Sequence, residues 1–257
     1  MSLDNSVISY RAIRQLVGIL GMTLPFLCWG VNVFVNHFDL LSNPLFVDTN
    51  QTLPYTPSIN LKSSISHFYY TAAGPVFTGI LITVAVFLFC YKGHPLNLKD
   101  DQYAWLTDNR LTNFAALCAL GVVTFPTGSD EKIKDNIHIF VSSSTAGYVH
   151  LGSAALFFMA IALMCIVNFR RHPNKIVINN AEGKLYLVCG WGMLICMALL
   201  AVFSFTSLQK VSWMPYSFVY IMETLMLVLF GTAWLVKGKS TPTQYVLTKL
   251  SQKSENK

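Results

Sequence analysis

Six apolar stretches follow one another along the chain and are separated by polar connectors. A helix that crosses a membrane needs about 20 mainly apolar residues, because the hydrocarbon core is about 30 Å thick. The pattern therefore predicts an all-α fold class, a polytopic membrane helix bundle with six transmembrane helices. The predicted helices cover residues 14–36, 68–91, 111–125, 146–169, 185–206 and 216–236.

The third stretch is the shortest, and Pro126 closes it. Its 15 residues, at 1.5 Å each, reach only about 22 Å, which is less than the thickness of the hydrocarbon core. We therefore expect this helix to begin before Leu111, with Arg110 extending its charged end toward the headgroups. Local thinning of the bilayer is the alternative.

Composition agrees with a membrane protein, since 53% of the residues are hydrophobic and only 12% are charged. Soluble domains carry roughly twice that charged fraction. We predict a six-helix transmembrane domain over residues 1–239 and a polar cytoplasmic tail over residues 240–257. The net charge of +6 indicates membrane topology and contact with anionic lipid headgroups. Nucleic acid is not an expected partner, because the basic residues lack interleaved exposed aromatic residues.

Lysine and arginine residues concentrate in alternate connectors. If the N-terminus is inside, 14 of the 18 lie in inner segments, and the outer ones are Lys62, Lys132, Lys134 and Lys210. Positive residues gather on the cytoplasmic side of membrane proteins. Both termini are therefore predicted to be cytoplasmic.

Two ionisable residues lie inside the predicted spans. His150 is about one turn into the fourth helix and Glu223 about two turns into the sixth, each counted from the outer end. An unpaired ionisable group in hydrocarbon costs several kcal/mol, so such residues are either functional or hydrogen-bonded between helices. Both interpretations stay open. We expect Glu223 to face the interior and to meet His150, residues 64–67 or residues 142–145.

Further polar residues are predicted in the same outer layer, where residues 63–67 enter the second helix and Thr127 follows the third. At the inner ends, topology alone accounts for the Lys and Arg residues. We therefore predict one polar site that opens toward the outer leaflet. Its candidate catalytic residues are Ser66, His150 and Glu223. Its candidate ligand-binding residues are Ser64, His67, Tyr70, Asn113, Thr127 and Ser153.

Three histidines near this layer, His67, His138 and His150, are of the residue type that binds zinc. The chain has no H-E-x-x-H motif and no pair of histidines four residues apart. We therefore expect no cofactor, and zinc held by these three histidines is the alternative.

Several motifs resemble those of an uncharacterised family of bacterial six-helix integral membrane proteins. The motifs are residues 64–71, 76–79, 113–115, 125–127, 150–158, 189–190 and 231–238, together with Glu223. This resemblance covers residues 10–239 and implies a location in the bacterial inner (plasma) membrane. The six-helix layout is also similar, more remotely, to the damage-regulated autophagy modulator and GPI-lipid-remodelling group.

A serine, a histidine and an acid at one membrane face are similar to those of the alkaline ceramidase and progestin-adipoQ receptor superfamily. That similarity implies a lipid amidase with zinc held by three histidines. This chain lacks the H-x-x-x-H motif of that superfamily on its final helix. It also has Gly74-Pro75 where the bacterial family implies an Arg-Asp pair, which removes an acid from the second helix.

Three functions remain open. The first is an integral membrane protein that binds or handles lipid, or scaffolds partners, and the Phe-rich helices and few charges favour it. The second is a membrane-embedded lipid hydrolase that uses a His/Glu site, with or without zinc. The third is a small-solute or proton-linked carrier, for which one acid and one histidine are sparse. The sequence leaves open whether the protein is an enzyme, and also its oligomeric state.

Overall fold

The computed structural model describes residues 2–38, 40, 61–93, 105–128, 143–171, 180–206 and 217–238. All regular secondary structure in these residues is helical. The α-helices are α1 Ser2–His37, α2 Gly74–Cys90, α3 Asp108–Thr124, α4 Ser144–Leu163, α5 Ala181–Phe205 and α6 Phe218–Lys237. A 3₁₀ helix, Ile65–Tyr70, precedes α2, and a π-helical turn, Met164–Asn168, continues α4.

These helices form a ring in chain order, in which each packs against the next and α6 packs against α1. Neighbouring helices alternate in direction. The Tyr220 hydroxyl near the start of α6 donates to the carbonyl of Pro25, in the second half of α1, at 3.0 Å. Arg14, in the first half of α1, donates to the carbonyl of Lys237 at the end of α6. We call this end of the ring the Lys237 end and the opposite one the His150 end.

Four of the helical segments are long and apolar enough to cross a membrane, and α2 is apolar but shorter, with 17 residues. Large apolar side chains such as Trp191, Ile195 and Val202 are exposed on the outside of the ring. Such a surface suits hydrocarbon rather than water. The part of the chain that the structure describes is therefore the helical bundle of an integral membrane protein. The four long segments are Arg11–His37, Ser144–Asn168, Ala181–Phe205 and Phe218–Lys237.

The early start expected for the third helix is confirmed. α3 begins at Asp108 because Thr107 caps it, and the Thr107 hydroxyl accepts a hydrogen bond from the Arg110 N–H at 3.3 Å. Its 17 residues reach about 25 Å, still less than the hydrocarbon thickness of about 30 Å. α1 also starts earlier than predicted, at Ser2 rather than at residue 14.

The predicted start of the second helix is wrong, because residues 68–73 lie outside α2. The 3₁₀ helix ends at Tyr70, and Gly74 and Pro75 open α2 after a sharp corner. A proline in the first turn lacks only an N–H that would have no helical partner. A Cβ at Gly74 would lie 2.6 Å from the Tyr69 carbonyl oxygen, so the corner requires glycine.

Two glycines allow the backbones of α1 and α6 to touch. A Cβ at Gly231 would lie 2.5 Å from the Gly18 carbonyl oxygen, and a Cβ at Gly18 would lie 2.9 Å from the Gly231 carbonyl oxygen. Helices approach this closely only where small residues meet. The contact closes the ring and brings Arg14 beside the end of α6.

Candidate functional site

Residues 61–71, which we call the cap segment, lie at the His150 end of the ring. Ser64 begins the 3₁₀ helix, and its hydroxyl accepts a hydrogen bond from the Ser66 N–H at 3.1 Å. The Ser63 carbonyl accepts a hydrogen bond from the Tyr220 N–H of α6 at 2.9 Å. The local fold of the cap segment is thus fixed by its own serine, and the segment is attached to α6.

The cap segment also contacts the residues that follow α3. His67 Nε2 lies 3.0 Å from the Gly128 carbonyl oxygen, and its Nδ1 lies 3.0 Å from the Ser63 hydroxyl. The Tyr70 hydroxyl donates to the Thr127 carbonyl. Three predicted ligand-binding residues therefore lie together here, where His67 and Tyr70 attach the cap segment and Thr127 contributes its backbone oxygen.

Glu223, about one and a half turns into α6, accepts hydrogen bonds from the cap segment. The Ser64 hydroxyl lies 3.0 Å from Oε1 and 2.9 Å from Oε2 of Glu223. The Ile65 N–H donates to Oε2 at 2.7 Å. The predicted contact of Glu223 with residues 64–67 is confirmed, and this carboxylate joins α6 to the cap segment.

His150, on α4, is hydrogen-bonded through both ring nitrogens. Its Nδ1 lies 2.8 Å from the Phe125 carbonyl oxygen at the end of α3, so Nδ1 carries the proton and donates. Its Nε2 is then an acceptor, and it lies 2.8 Å from the Ser66 hydroxyl. In enzymes with a serine nucleophile, the serine hydroxyl donates to a neutral histidine, and a third group orients that histidine. Ser66, His150 and the Phe125 carbonyl have this arrangement. The same bonds also join α3, α4 and the cap segment.

A small cavity lies beneath the cap segment. Its volume is about 50 Å³, and Ser66 and Glu223 supply its polar lining. The rest of the wall is apolar and comes from Leu24, Ile65, Phe77, Leu81, Ala119, Val122, Ala154, Phe157, Phe158 and Leu227. This combination is typical of a site for a small apolar group with one polar end.

None of the six predicted ligand-binding residues lines this cavity, whereas the predicted catalytic residues Ser66 and Glu223 do. The remaining two, Ser153 and Asn113, lie on α4 and α3. Ser153 packs between α4 and α3, and its hydroxyl would lie 2.5 Å from a Cβ at Gly121. Asn113 is 12 residues before Phe125, which places it about 18 Å away along α3. Its buried Oδ1 has no hydrogen-bond partner among the described residues. Asn113 therefore belongs to a different layer of the ring.

Two of the three histidines of the alternative zinc site, His67 and His150, lie within the described residues. Within the described residues, no group of three or more His, Cys, Asp or Glu side chains could hold a metal ion. His138 lies outside the described residues, as does Ser142, so the set of three histidines stays a prediction. His67 and His150 are both hydrogen-bonded to serines and to backbone carbonyls.

Sequence analysis missed a second polar cluster at the Lys237 end. Asn168 Nδ2 donates to Asp108 Oδ1 at 2.7 Å, and the Tyr91 hydroxyl donates to Asp108 Oδ2 at 3.4 Å. The Thr112 hydroxyl donates to the Tyr91 carbonyl at 3.1 Å. The sequence signal for it is weak: Asn168 ends the apolar run that continues from α4 into the π-helical turn, two residues before Arg170.

Comparisons with family models, with curated proteins and with solved structures gave no match for this chain.

Proposed function

We propose that all six helices cross the membrane and that the Lys237 end faces the cytoplasm of a bacterial cell. Lys and Arg residues support this orientation, because they concentrate in the segments assigned to that end. α2 and α3 would cross as a short pair within a locally thinned bilayer. The cap segment and its site would then lie at the outer leaflet, as the sequence analysis predicts from the polar residues of that layer.

We infer that the protein binds a membrane lipid at this site. The observation that carries the proposal is the cavity, whose apolar wall ends at the polar groups of Ser66 and Glu223. An amphiphile has the same division into an apolar chain and a polar end. With a volume of about 50 Å³, the cavity holds only the part of such a molecule next to its polar group. The remaining chain would lie between helices or in the bilayer.

Two neighbouring alanines on α4 allow a matched test. Ala154 lines the cavity, whereas Ala155 is exposed on the outside of the ring. Ala154→Leu should fill the cavity and lower the amount of lipid that copurifies with the protein, measured by mass spectrometry after detergent exchange. Ala155→Leu should leave that amount unchanged. Equal lipid content in the two variants would exclude the cavity as the lipid site.

A second candidate function is hydrolysis of a lipid ester or amide, and the Ser66–His150 hydrogen bond favours it. Ser66 Oγ would attack the carbonyl carbon while His150 Nε2 takes the hydroxyl proton. The Phe125 carbonyl would stabilise the resulting imidazolium through Nδ1–H. His150 would pass the proton to the leaving group, and water would then release the acyl group from Ser66.

Binding ranks ahead of hydrolysis because the nearby amides are occupied. The N–H groups of Ile65 and Ser66 already donate to Glu223 and to the Ser64 hydroxyl. Hydrolysis by an activated serine depends strongly on donors that stabilise the oxyanion. Neither of these two amides is open to that task while the cap segment is in place.

A serine-reactive fluorophosphonate probe distinguishes the two functions without knowledge of the substrate. If the protein is a hydrolase, the probe should label the wild type. It should also label Ser63→Ala, because the Ser63 hydroxyl that this variant lacks contacts His67 and not His150. It should not label Ser66→Ala. Labelling that persists in Ser66→Ala, or no labelling of the wild type, would exclude hydrolysis by Ser66 and leave lipid binding as the remaining function.

A further inference from the structure

The two cap residues that line the cavity, Ile65 and Ser66, already use their hydrogen-bond donors within the protein. The Ile65 N–H donates to Glu223 Oε2 at 2.7 Å, and the Ser66 N–H donates to the Ser64 hydroxyl at 3.1 Å. The Ser66 hydroxyl donates to His150 Nε2, which lies 2.8 Å away. Ser66 Oγ therefore offers the cavity lone pairs but no proton.

Glu223, the other polar residue of the cavity wall, offers acceptors as well. A carboxylate has about four lone-pair positions. The Ser64 hydroxyl carries a single proton, which lies between Oε1 at 3.0 Å and Oε2 at 2.9 Å. The Ile65 N–H occupies one more position, on Oε2. These two donors leave part of the carboxylate, mainly at Oε1, without a hydrogen bond from the described residues.

A ligand in this cavity would therefore meet acceptors at its polar end and hydrocarbon elsewhere, as far as the described residues form the wall. A site built to hydrogen-bond a hydroxyl rejects an analogue without it, because the polar groups of the site then stay unpaired. A ligand carboxylate would bring no proton and would be repelled by the like charge of Glu223 in a medium of low dielectric constant.

We propose that the cavity selects a lipid whose polar end donates a hydrogen bond, through a hydroxyl or an ammonium group, and rejects a lipid that ends in a carboxylate. The donor would bind Glu223 Oε1 and Ser66 Oγ. This inference rests on the proposed function, in which the cavity holds the polar end of a lipid. Long-chain alcohols, acylglycerols with a free hydroxyl and long-chain amines have such an end, whereas ionised fatty acids do not.

Thermal unfolding of the full chain in detergent tests the selectivity with four probes: decanol, decylamine, decanoate and nonyl methyl ether. The ether is an isomer of decanol that has the same oxygen but no O–H. Decanol should raise the unfolding midpoint, since a ligand that binds only the native state stabilises it. Its apparent affinity should exceed that of the ether and of decanoate by at least about tenfold, the gain from one hydrogen bond to a charged group.

Decylamine identifies the kind of donor. A response equal to that of decanol assigns the site to any donor, and a response to only one of the two assigns it to that group. Each of these results supports the proposal. Equal affinity for decanol and nonyl methyl ether, or tighter binding of decanoate than of decanol, would overturn it.

Variants separate this selectivity from lipid binding itself. The response to decanol should disappear in Ala154→Leu, which fills the cavity, and persist in Ala155→Leu, whose side chain is outside the ring. Equal responses to decanol and the ether that both disappear in Ala154→Leu would refute selection for a donor and leave lipid binding standing. A response that Ala154→Leu does not change, or no response to any probe, would refute both.

Glu223→Gln tests the selectivity without filling the cavity. The glutamine amide adds an N–H, which an ether oxygen or a carboxylate can accept. The preference for decanol over the ether should therefore fall by about tenfold, the value of the hydrogen bond that Glu223 would receive. An unchanged preference in Glu223→Gln would refute the role of Glu223, even if Ala154→Leu does not fold.

Discussion

Replacing Glu223 by leucine should destabilise the protein more than replacing it by glutamine. The Glu223 carboxylate accepts the Ser64 O–H and the Ile65 N–H, and thereby holds the cap segment to α6. Leucine leaves both donors without an acceptor. Glutamine keeps one carbonyl oxygen for the Ile65 N–H and offers its own N–H to the Ser64 oxygen.

Hydrogen-bond energies give the size of the effect. A hydrogen bond to a charged group contributes about 1.5–3 kcal/mol, and a buried donor left unpaired costs about 1–3 kcal/mol. Two such hydrogen bonds set an upper range of about 3–6 kcal/mol for Glu223→Leu. The cap segment can shift slightly when the carboxylate is removed, so the loss stays below this bound and we expect about 2–4 kcal/mol. Glu223→Gln should cost about 1–2 kcal/mol, because both contacts are kept but neither is any longer a bond to a charged group.

A thiol-reactive dye measures unfolding in detergent without added labels. It reacts when heating exposes the cysteines that are buried in the native fold, which are Cys28, Cys118, Cys165, Cys189 and Cys196. Glu182→Leu on α5 serves as the control, since loss of a charge from the first helical turn should cost less than about 1 kcal/mol. Equal midpoints for Glu223→Leu and Glu182→Leu would refute the reasoning, as would a Glu223→Gln variant no more stable than Glu223→Leu.

Two further changes test the ring and its orientation. Gly231→Ala should destabilise the fold by about 1–3 kcal/mol because its Cβ would lie 2.5 Å from the Gly18 carbonyl oxygen. Gly30→Ala, with nothing within 4 Å of the new Cβ, should be neutral or slightly stabilising, and equal unfolding midpoints would contradict the close packing. Reporter domains fused to the N-terminus and to the C-terminus should both report the cytoplasm, and one exterior signal would overturn the six-helix orientation.

Hydropathy predicted where the helices are but not where each one begins. Apolar character continues from Phe68 into α2, so residues 68–73 looked helical, although Gly74 and Pro75 make a corner there. Thr107 caps α3 within a polar stretch that hydropathy alone excludes. Caps and corners depend on single side chains and close backbone contacts, which an average over 20 residues cannot represent.

The sequence predicts which residues of the candidate site lie at the same depth in the membrane, but not which of them are hydrogen-bonded to each other. Ser64, Ser66, His150 and Glu223 meet because their positions along the helices place them at one depth. Which residue bonds to which depends on how each helix is rotated about its axis. That rotation is hard to read from helices that are apolar on all sides, since hydrocarbon and protein interior favour the same residues.

The cluster at the Lys237 end was missed for a related reason. Asp108 lies outside the predicted third helix, residues 111–125, so hydropathy gives no reason to place it against another helix. Asn168 lay at the predicted end of the fourth helix, where a polar residue is ordinary. Only the fold shows that Asn168 Nδ2 reaches Asp108 Oδ1 at 2.7 Å.

The π-helical turn gives the run that follows α4 a tolerance to length change that α4 itself lacks. The Phe169 N–H bonds to the Met164 carbonyl, five residues back, so the turn holds one residue more than an α-helical turn. Loss of one residue within the turn would be absorbed by a return to regular α-helical bonding, and the side chains on either side would keep their orientation. Loss of one residue within Ser144–Leu163 would instead rotate the side chains before it by about 100° relative to those after it. His150 and Asn168 would then no longer both face their partners.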